Sequence, residues 1–263
     1  MGETVKMQRD NFTLFLVFLS VVISAILFLP VINLLATTSI GQYISAFLDE
    51  EVRLAIFLSL FTATLTTILA IVLGVPLAYI LARKDFPFKE TIDSLVDLPI
   101  LIPHTVAGIA LLTLFGPRAI IGSALRNFGL IFTSTIYGIV LAQFFVSAPL
   151  LIKTTKEILL KIDERVIKVA RTLGASPRDV FFDIELPLSA KGILTGAILC
   201  WARAISEFGA VIILAYYPHT APVLIYVRFE TWGLSASKPI SALLLIVTLS
   251  IFILLKYIEK KSD

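Results

Sequence analysis

The chain has 263 residues, of which 58% are hydrophobic and only 16% are charged, and its mean hydropathy is +0.96. Soluble domains contain roughly 45 to 50% apolar residues, so this composition excludes an ordinary soluble protein. A net charge of +3, with the aromatic residues inside apolar runs, argues against nucleic acid as a partner. A single cysteine and two distant histidines argue against disulfide, redox and metal chemistry.

Six stretches are apolar enough to cross a membrane, which takes about 20 residues in a helix. In chain order these stretches are residues 12–36, 52–82, 92–115, 133–152, 188–217 and 239–258. The sequence therefore predicts an all-α polytopic membrane protein that forms one domain over residues 1–263. A cell membrane is the expected location, with lipid as a constant partner.

The first stretch follows Lys6 and Arg9, so a signal peptide is the alternative interpretation. The apolar core of a signal peptide has roughly 7 to 15 residues, whereas this run continues past Pro30. The sequence Ala-Thr-Thr at residues 36–38 is also a poor cleavage site. We expect an uncleaved first span.

The basic residues are distributed unequally between the two sides of the predicted membrane. With both termini in the cytoplasm, the inner segments hold sixteen of the 22 lysines and arginines, and the outer segments hold five. The outer residues are Arg53, Arg118, Arg126, Arg228 and Lys238. Because lysine and arginine are retained on the cytoplasmic side, both termini are predicted to be cytoplasmic.

The connection between the fourth and fifth spans, residues 153–187, is long and carries charges of both signs. Between Asp163 and Leu173, apolar residues recur at helical spacing opposite charged ones, which predicts an amphipathic helix. Gly174 follows this helix, at a position where a glycine can adopt the left-handed conformation that closes a helix.

A second, short helix is predicted directly after this glycine. Ser176 suits the N-cap, Pro177 the first helical position, and Asp179 the third, where its charge meets the positive helix end. Because proline disfavours helix in the preceding residue, this helix should end before Leu186-Pro187. A soluble partner could grip such a loop, or the loop could rest on lipid headgroups, and periodicity does not decide between them.

The spacing of residues in this loop resembles that of a known family. Ala170, Gly174, Ile184, Leu186 and Pro187 match the pattern Glu-Ala-Ala, three residues, Gly, nine residues, Ile, any residue, Leu-Pro. This pattern is similar to the cytoplasmic loop of ABC importer permeases, where a coupling helix docks into the ATPase subunit. The resemblance implies that role for residues 169–187, and in particular for Ala170, Arg171, Gly174, Ser176, Pro177, Asp179 and Pro187.

The chain departs from the family pattern where the pattern begins. Lys168 stands in place of the family's Glu and Val169 in place of its first Ala, so the ion pair of that Glu is not carried over. The resemblance extends from about residue 52 to the end of the chain. Residues 97–109 and 201–211 look like the oxyanion branch of these permeases. Residues 215–222 are most similar to molybdate and tungstate permeases, with sulfate and thiosulfate permeases as close relatives.

Charges within a span are costly in lipid, so Arg203 and Glu207 should face protein or water. They are four residues apart, with Ser206 beside them, and are therefore close enough to pair on one helical face. This face either lines a translocation path, where the arginine lowers the barrier for an oxyanion, or only holds helices together. His104 and Thr105 lie at the predicted cytoplasmic start of the third span, where a path role and a packing role are again both open.

The chain contains no Gly-x-x-x-x-Gly-Lys-Ser/Thr loop, so it is not expected to hold ATP phosphates or to be an enzyme. The family resemblance implies a second copy of the permease, a pair of ATPase subunits that hold ATP and Mg²⁺, and an extracytoplasmic binding protein. No cofactor is expected in this chain. ATP binding and release on the partner would drive alternating access of the path.

An ion-coupled secondary transporter and an intramembrane enzyme are the alternative classes of protein. An ion-coupled secondary transporter would usually show internal repeats and several acidic residues within its spans. An intramembrane enzyme would need a cluster of His, Asp or Glu residues, or a nucleophile with its base. Glu207 stands nearly alone within the predicted spans, which favours the importer.

Overall fold

The computed structural model describes residues 11–261, and all regular structure within that range is helical. The helices are α1 (Asn11–Ala36), α2 (Ile40–Leu48), α3 (Glu50–Arg83), α4 (Lys89–Leu101), α5 (His104–Phe115), α6 (Ile120–Arg126), α7 (Ile136–Lys161), α8 (Glu164–Thr172), α9 (Pro177–Ile205), α10 (Gly209–Leu214), α11 (Ala221–Trp232) and α12 (Leu234–Lys261). The basic residues Lys6 and Arg9, used above for orientation, lie outside the described residues.

Within the described residues, five helices are long and apolar enough to cross a membrane, namely α1, α3, α7, α9 and α12. The pair α4 and α5 passes the same test together, but the two helices are bent by 114°. With this pair counted as one span, the prediction of an all-α polytopic membrane protein with six spans is confirmed.

The prediction that residues 92–115 form one continuous span is wrong, because a proline divides this stretch into two helices. Ile102 has an extended backbone with ψ 146°, and Pro103 follows it and precedes α5. The ring of a proline disfavours helical conformation in the residue before it, so α4 ends at Leu101. The apolar character continues on both sides of this break, which is why composition alone does not reveal it.

The ends of the helices define two sides of the molecule. Lys238, near the start of α12, donates to the carbonyl of Thr37 just after α1 at 2.7 Å, and we call this the α2 side. On the opposite side, Arg83 at the end of α3 donates to the carbonyl of Leu159 at the end of α7 at 2.5 Å. We call this opposite side the α8 side, because α8 lies there between α7 and α9.

Helices α3, α7 and α9 form the centre of the molecule, and small residues let them approach closely. A Cβ atom at Gly192 of α9 would lie 2.2 Å from Cγ1 of Ile158 on α7, and one at Gly196 would lie 3.2 Å from Cα of Leu151. Such spacing of small residues is a common means of packing helices within membranes. The chain's only cysteine, Cys200, is fully buried in this core.

The prediction that the helix after Ser176 ends before Leu186-Pro187 is wrong. Helix α9 continues from Pro177 to Ile205, and residues Val180–Glu185 within it form a π-helical turn. In this turn the N–H of Leu186 donates to the carbonyl of Phe181, five residues back. In a regular α-helix the ring of Pro187 would clash with the carbonyl four residues earlier, and the wider turn gives that ring room.

Other boundaries also differ from those expected. Helix α7 continues to Lys161, so the residues from 153 to 161 are helical and the connection to α9 is shorter than predicted. The predicted span 188–217 is broken after Ile205, and the separate helix α10 follows. Helix α1 forms as one continuous helix, with no residue buried against the rest of the chain.

Candidate translocation cluster and coupling loop

Arg203, in the last turn of α9, is the centre of a charged cluster at the breaks of two spans. Its Nη2 atom lies 2.7 Å from Oε2 of Glu207 and 2.7 Å from Nε2 of His104. Nδ1 of His104 lies 3.5 Å from the same carboxylate oxygen. The predicted pairing of Arg203 and Glu207 is confirmed, and His104 joins the pair from 99 residues away in the sequence.

Glu207 is held from two directions. Its side chain is only 1% exposed, and its Oε1 atom accepts a hydrogen bond from the backbone N–H of Ala210 at 2.8 Å. Because a buried carboxylate needs both a cation and hydrogen-bond donors, Arg203 and the first turn of α10 together satisfy it. The side chain of Arg203 is 26% exposed, and that of the neighbouring His104 is 42% exposed. Both therefore remain partly accessible.

The position of His104 depends on the close packing of α5 against α10. A Cβ atom at Gly209 would lie 2.6 Å from Cβ of His104, and one at Gly108 would lie 2.8 Å from Cβ of Ile213. The two helices therefore meet through glycine on each side. This contact brings the break before α5 next to the break before α10.

The sequence predicted that His104 lies at the cytoplasmic start of the third span. The structure places it elsewhere. Helix α9 begins on the α8 side, and the 27 residues from Pro177 to Arg203 span about 40 Å at 1.5 Å per residue. His104, which contacts Arg203, is therefore far from the α8 side. The prediction failed because α4 fills the first part of the span and α5 begins only after the proline break.

The two remaining candidates for the path lie at the margin of the cluster. Ser206 is exposed, and its hydroxyl donates to the carbonyl of Arg203 at 3.0 Å and accepts from Nη1 of Arg203 at 3.4 Å. Thr105 is also exposed and follows His104 at the start of α5. Ser206 is thus part of the cluster through Arg203, whereas Thr105 is only its neighbour in the chain.

The chemistry of the cluster suits passage of an anion better than tight binding. The carboxylate of Glu207 cancels most of the charge of Arg203, so the guanidinium offers N–H donors with little net attraction. A transport path needs an ion to leave as well as to enter, so weak sites are an advantage. An oxyanion in contact with this cluster would therefore be held only weakly.

The loop between α7 and α9 has the local geometry that its sequence predicted. Gly174 has φ +95°, and the N–H of Ala175 donates to the carbonyl of Ala170 at 3.0 Å, which closes α8. Ser176 then forms a capping box with Asp179: its hydroxyl accepts from the N–H of Asp179 at 3.2 Å, and its own N–H donates to the Asp179 carboxylate at 2.8 Å.

Two carboxyl groups in this loop have a lowered pKa. The hydroxyl and the N–H of Ser176 hold the pKa of Asp179 below its ordinary value, because both hydrogen bonds stabilise the ionised form. A hydrogen bond from Lys168 likewise lowers the pKa of Glu164 in α8. Both residues are exposed, so the effects are local to the loop.

The loop is attached to the centre of the molecule by Arg83. Its Nε atom donates to Oε1 of Glu185 at 2.6 Å, and its Nη2 atom donates to the carbonyl of Leu159 at 2.5 Å. The side chain of Glu185 is 1% exposed and lies in the π-helical turn. Three elements, α3, α7 and α9, therefore meet at one guanidinium.

Sequence reasoning missed a second charged group within the spans. Lys153 and Lys156 of α7 were assigned to the loop, but they pair with α4: Lys153 Nζ lies 2.7 Å from Asp97 and Lys156 Nζ lies 2.8 Å from Asp93. The spacing of these residues could have indicated the pairing. The two lysines are three residues apart and the two aspartates four apart, so each pair lies on one face of its helix.

The overall arrangement has a counterpart among solved structures. The chain matches a crystal structure of a bacterial ABC transporter involved in the import of the acidic polysaccharide alginate, with a TM-score of 0.76. The match covers 95% of this chain and 96% of the other at 17% sequence identity, so it shows the fold alone. The fold and its broken spans define a class of polytopic, all-helical membrane proteins.

The sequence comparisons narrow this class to a family. Residues 70–263 match the model for the inner membrane component of binding-protein-dependent transport systems, and the chain belongs to this family. It is 44% identical over 259 residues to the molybdate/tungstate transport system permease protein WtpB of Thermococcus kodakarensis, covering 97% of this chain and all of the relative. It is 40% identical over 248 residues to the protein of the same name from Methanocaldococcus jannaschii, covering 94% and 96% of the two chains.

Proposed function

We propose that this chain is the permease subunit of an ABC importer and that it carries molybdate and tungstate into the cell. The similarity to archaeal molybdate/tungstate permeases along almost the whole chain is the observation that carries this proposal. The cluster of Arg203, Glu207 and His104 supports it, because a partly neutralised arginine suits a weakly held oxyanion.

In this proposal the α8 side is the cytoplasmic side, and both termini are cytoplasmic. Lysine and arginine are concentrated there, as they are on the cytoplasmic side of membrane proteins. The α2 side then faces the extracytoplasmic binding protein, which selects the anion and delivers it. This division of work leaves the permease to conduct and the binding protein to discriminate.

Helix α8, the following π-helical turn and the residues between them form the coupling loop. Its apolar side chains Val166, Val169, Leu173 and Phe182 are exposed in this chain. A partner covers such side chains in an assembly, and we assign that place to an ATPase subunit. ATP and Mg²⁺ belong to that subunit, and this chain conducts without hydrolysing ATP itself.

A second copy of the permease completes the path. Six spans are few to enclose a path, and α1 presents apolar side chains with none of them buried against its own chain. Those surfaces face lipid and the second copy. The complete importer thus has two permeases, two ATPase subunits and one binding protein.

Coexpression with the ATPase followed by reconstitution into proteoliposomes tests the proposal. ATPase activity is measured with the binding protein loaded in turn with molybdate, tungstate or sulfate. We expect the molybdate- and tungstate-loaded forms to stimulate ATPase activity. If only the sulfate-loaded form stimulates it, the substrate is sulfate and the proposed substrate is wrong. If no ATPase copurifies and uptake follows an ion gradient, the chain is a secondary transporter.

A further inference from the structure

A cavity of about 350 Å³ lies on the α8 side, between α8 and the end of α3. Residues of α3, the α3–α4 connection, α8 and the π-helical turn line it. Ligand pockets begin at about 300 Å³, so the cavity has room for a small ligand. It is separate from the translocation cluster, because Arg203, His104 and Glu207 do not line it.

The charges that line this cavity do not balance. Five side chains are cationic and three are acidic. Each acid already bonds one of the cations, and the pairs are Asp85–Lys89 (3.2 Å), Glu164–Lys168 (2.9 Å) and Glu185–Arg83 (2.6 Å). Lys84 and Arg171 remain, and neither pairs with a carboxylate among residues 11–261. A concave surface with an excess of positive charge attracts anions.

The two remaining cations suit an anion with several oxygen atoms. The planar guanidinium of Arg171 can donate two parallel hydrogen bonds to neighbouring oxygens of a phosphate-like group. The ammonium group of Lys84 acts as a point charge without a fixed orientation. A tetrahedral oxyanion between them could use both groups.

The location of the two cations gives such an anion a structural effect. Arg171 belongs to α8, whereas Lys84 follows directly after α3. Within the described residues, α8 packs mainly against the π-helical turn. An anion held by both cations would therefore tie α8 to the end of α3.

We propose that this cavity is an anion-binding site for a tetrahedral oxyanion of the phosphate class, which bridges Arg171 to Lys84 and holds α8 in place. The anion is either free in solution or part of a phospholipid headgroup. Under the proposed function, its binding would regulate coupling, because α8 is part of the coupling loop. The binding itself is independent of transport.

Hydrogen exchange of residues 164–172 in the full-length chain tests the site for a free anion. The chain is kept in uncharged detergent, and sodium phosphate is compared with sodium chloride at equal ionic strength. A ligand at twice its Kd slows exchange through local opening about threefold. We expect phosphate to slow exchange in the unmodified chain and in Arg165→Gln, a matched change on α8 outside the cavity, and not in Arg171→Gln or Lys84→Gln.

A second arm tests the lipid source. The same chain is placed in bilayer discs of phosphatidylcholine, with or without phosphatidylglycerol, in a buffer free of phosphate. Slowing that needs phosphatidylglycerol and disappears in Arg171→Gln assigns the site to a headgroup. No slowing in either arm, or equal slowing in Arg171→Gln and Arg165→Gln, would overturn the proposal. Neither arm needs an ATPase or transport, so failure here is distinct from failure of the proposed function.

Discussion

The guanidinium of Arg83 bonds the carboxylate of Glu185 at 2.6 Å across 102 residues of sequence, and only 1% of the Glu185 side chain is exposed. The pair joins the end of α3 to the π-helical turn of α9. The carbonyl of Leu159 at the end of α7 accepts from the same arginine at 2.5 Å. The coupling loop is therefore anchored to three spans at one point.

Replacement of Arg83 by methionine should leave the carboxylate of Glu185 buried without a cation. Loss of one partner from a buried ion pair costs about 3 to 5 kcal/mol, so we expect a large fall in stability. Thermal unfolding in detergent measures this. The double variant Arg83→Met with Glu185→Leu should recover much of the loss, because no charge stays buried.

An exposed pair provides the control for this result. Lys89 and Asp85 pair at 3.2 Å, and the Asp85 side chain is fully exposed. Lys89→Met should therefore change stability little, since exposed pairs are typically of little value. A comparable loss in Lys89→Met and Arg83→Met would contradict the special role of the buried pair.

Replacement of Gly174 by valine should uncouple ATP hydrolysis from uptake while the protein stays in the membrane. Gly174 has φ +95°, and a left-handed backbone costs about 1 to 2 kcal/mol for a residue with a side chain. The end of α8 would therefore shift. Uptake of the labelled oxyanion into proteoliposomes, relative to ATPase activity, is the measurement.

Two variants make this test specific. Gly174→Asn should retain more uptake than Gly174→Val, because asparagine tolerates the left-handed region. Gly41→Ala changes a glycine in α2 that has open space around its Cβ position, and it should behave like the unmodified chain. Normal coupled uptake by Gly174→Val would contradict the proposed coupling role of this loop.

Replacement of Arg203 by alanine should lower the maximal rate of uptake without changing the preference among anions. The variant loses the donor at the break of the fifth span, and a loss of about 1.4 kcal/mol in barrier stabilisation would slow transport tenfold. Preference should persist because, in the proposed function, the binding protein selects the anion. Competition between molybdate, tungstate and sulfate during uptake measures both quantities.

The same position offers a separate check on a purely structural role. In Arg203→Ala the carboxylate of Glu207 is left buried, which by itself destabilises the protein. The double variant Arg203→Ala with Glu207→Gln removes the unpaired buried charge and should therefore regain stability. Recovery of full uptake together with stability would assign Arg203 to packing, whereas slow uptake in a stable protein would assign it to the path.

Replacement of Gly192 by alanine should destabilise the contact between α9 and α7. The new Cβ would lie 2.2 Å from Cγ1 and 2.7 Å from Cβ of Ile158, so α9 must move away. Overpacking of this kind typically costs about 1 to 3 kcal/mol. Thermal unfolding should show the loss, and Ile158→Ala in the same chain should restore part of it. Absence of rescue would mean that another contact limits the approach.

The sequence predicted the long spans well and the broken ones poorly. Span 52–82 corresponds to α3 (Glu50–Arg83), because charged residues bound a long apolar run. The break at Ile102-Pro103 leaves the hydropathy high on both sides, so a composition window passes over it. The capping box of Ser176 and Asp179 was predictable, because capping depends on residues three apart.

The local part of the candidate site could be predicted from the sequence, whereas its long-range contact could not. Arg203 and Glu207 are four residues apart, and their pairing follows from helical spacing. The contact between His104 and Arg203 spans 99 residues and depends on how α5 turns after its proline. The π-helical turn was missed because the usual rule for proline assumes a regular α-helix, and a wider turn accommodates the ring.

The burial of Cys200 makes this chain a convenient subject for thiol labelling. The chain's only sulfhydryl group lies in the core between α3, α7 and α9, out of reach of a water-soluble reagent. A cysteine introduced at an exposed position such as Val169 would therefore be the only thiol to react, without prior removal of a native residue. Spin or fluorescent probes placed in this way on α8 and α2 could follow movements of the two sides through the ATP cycle.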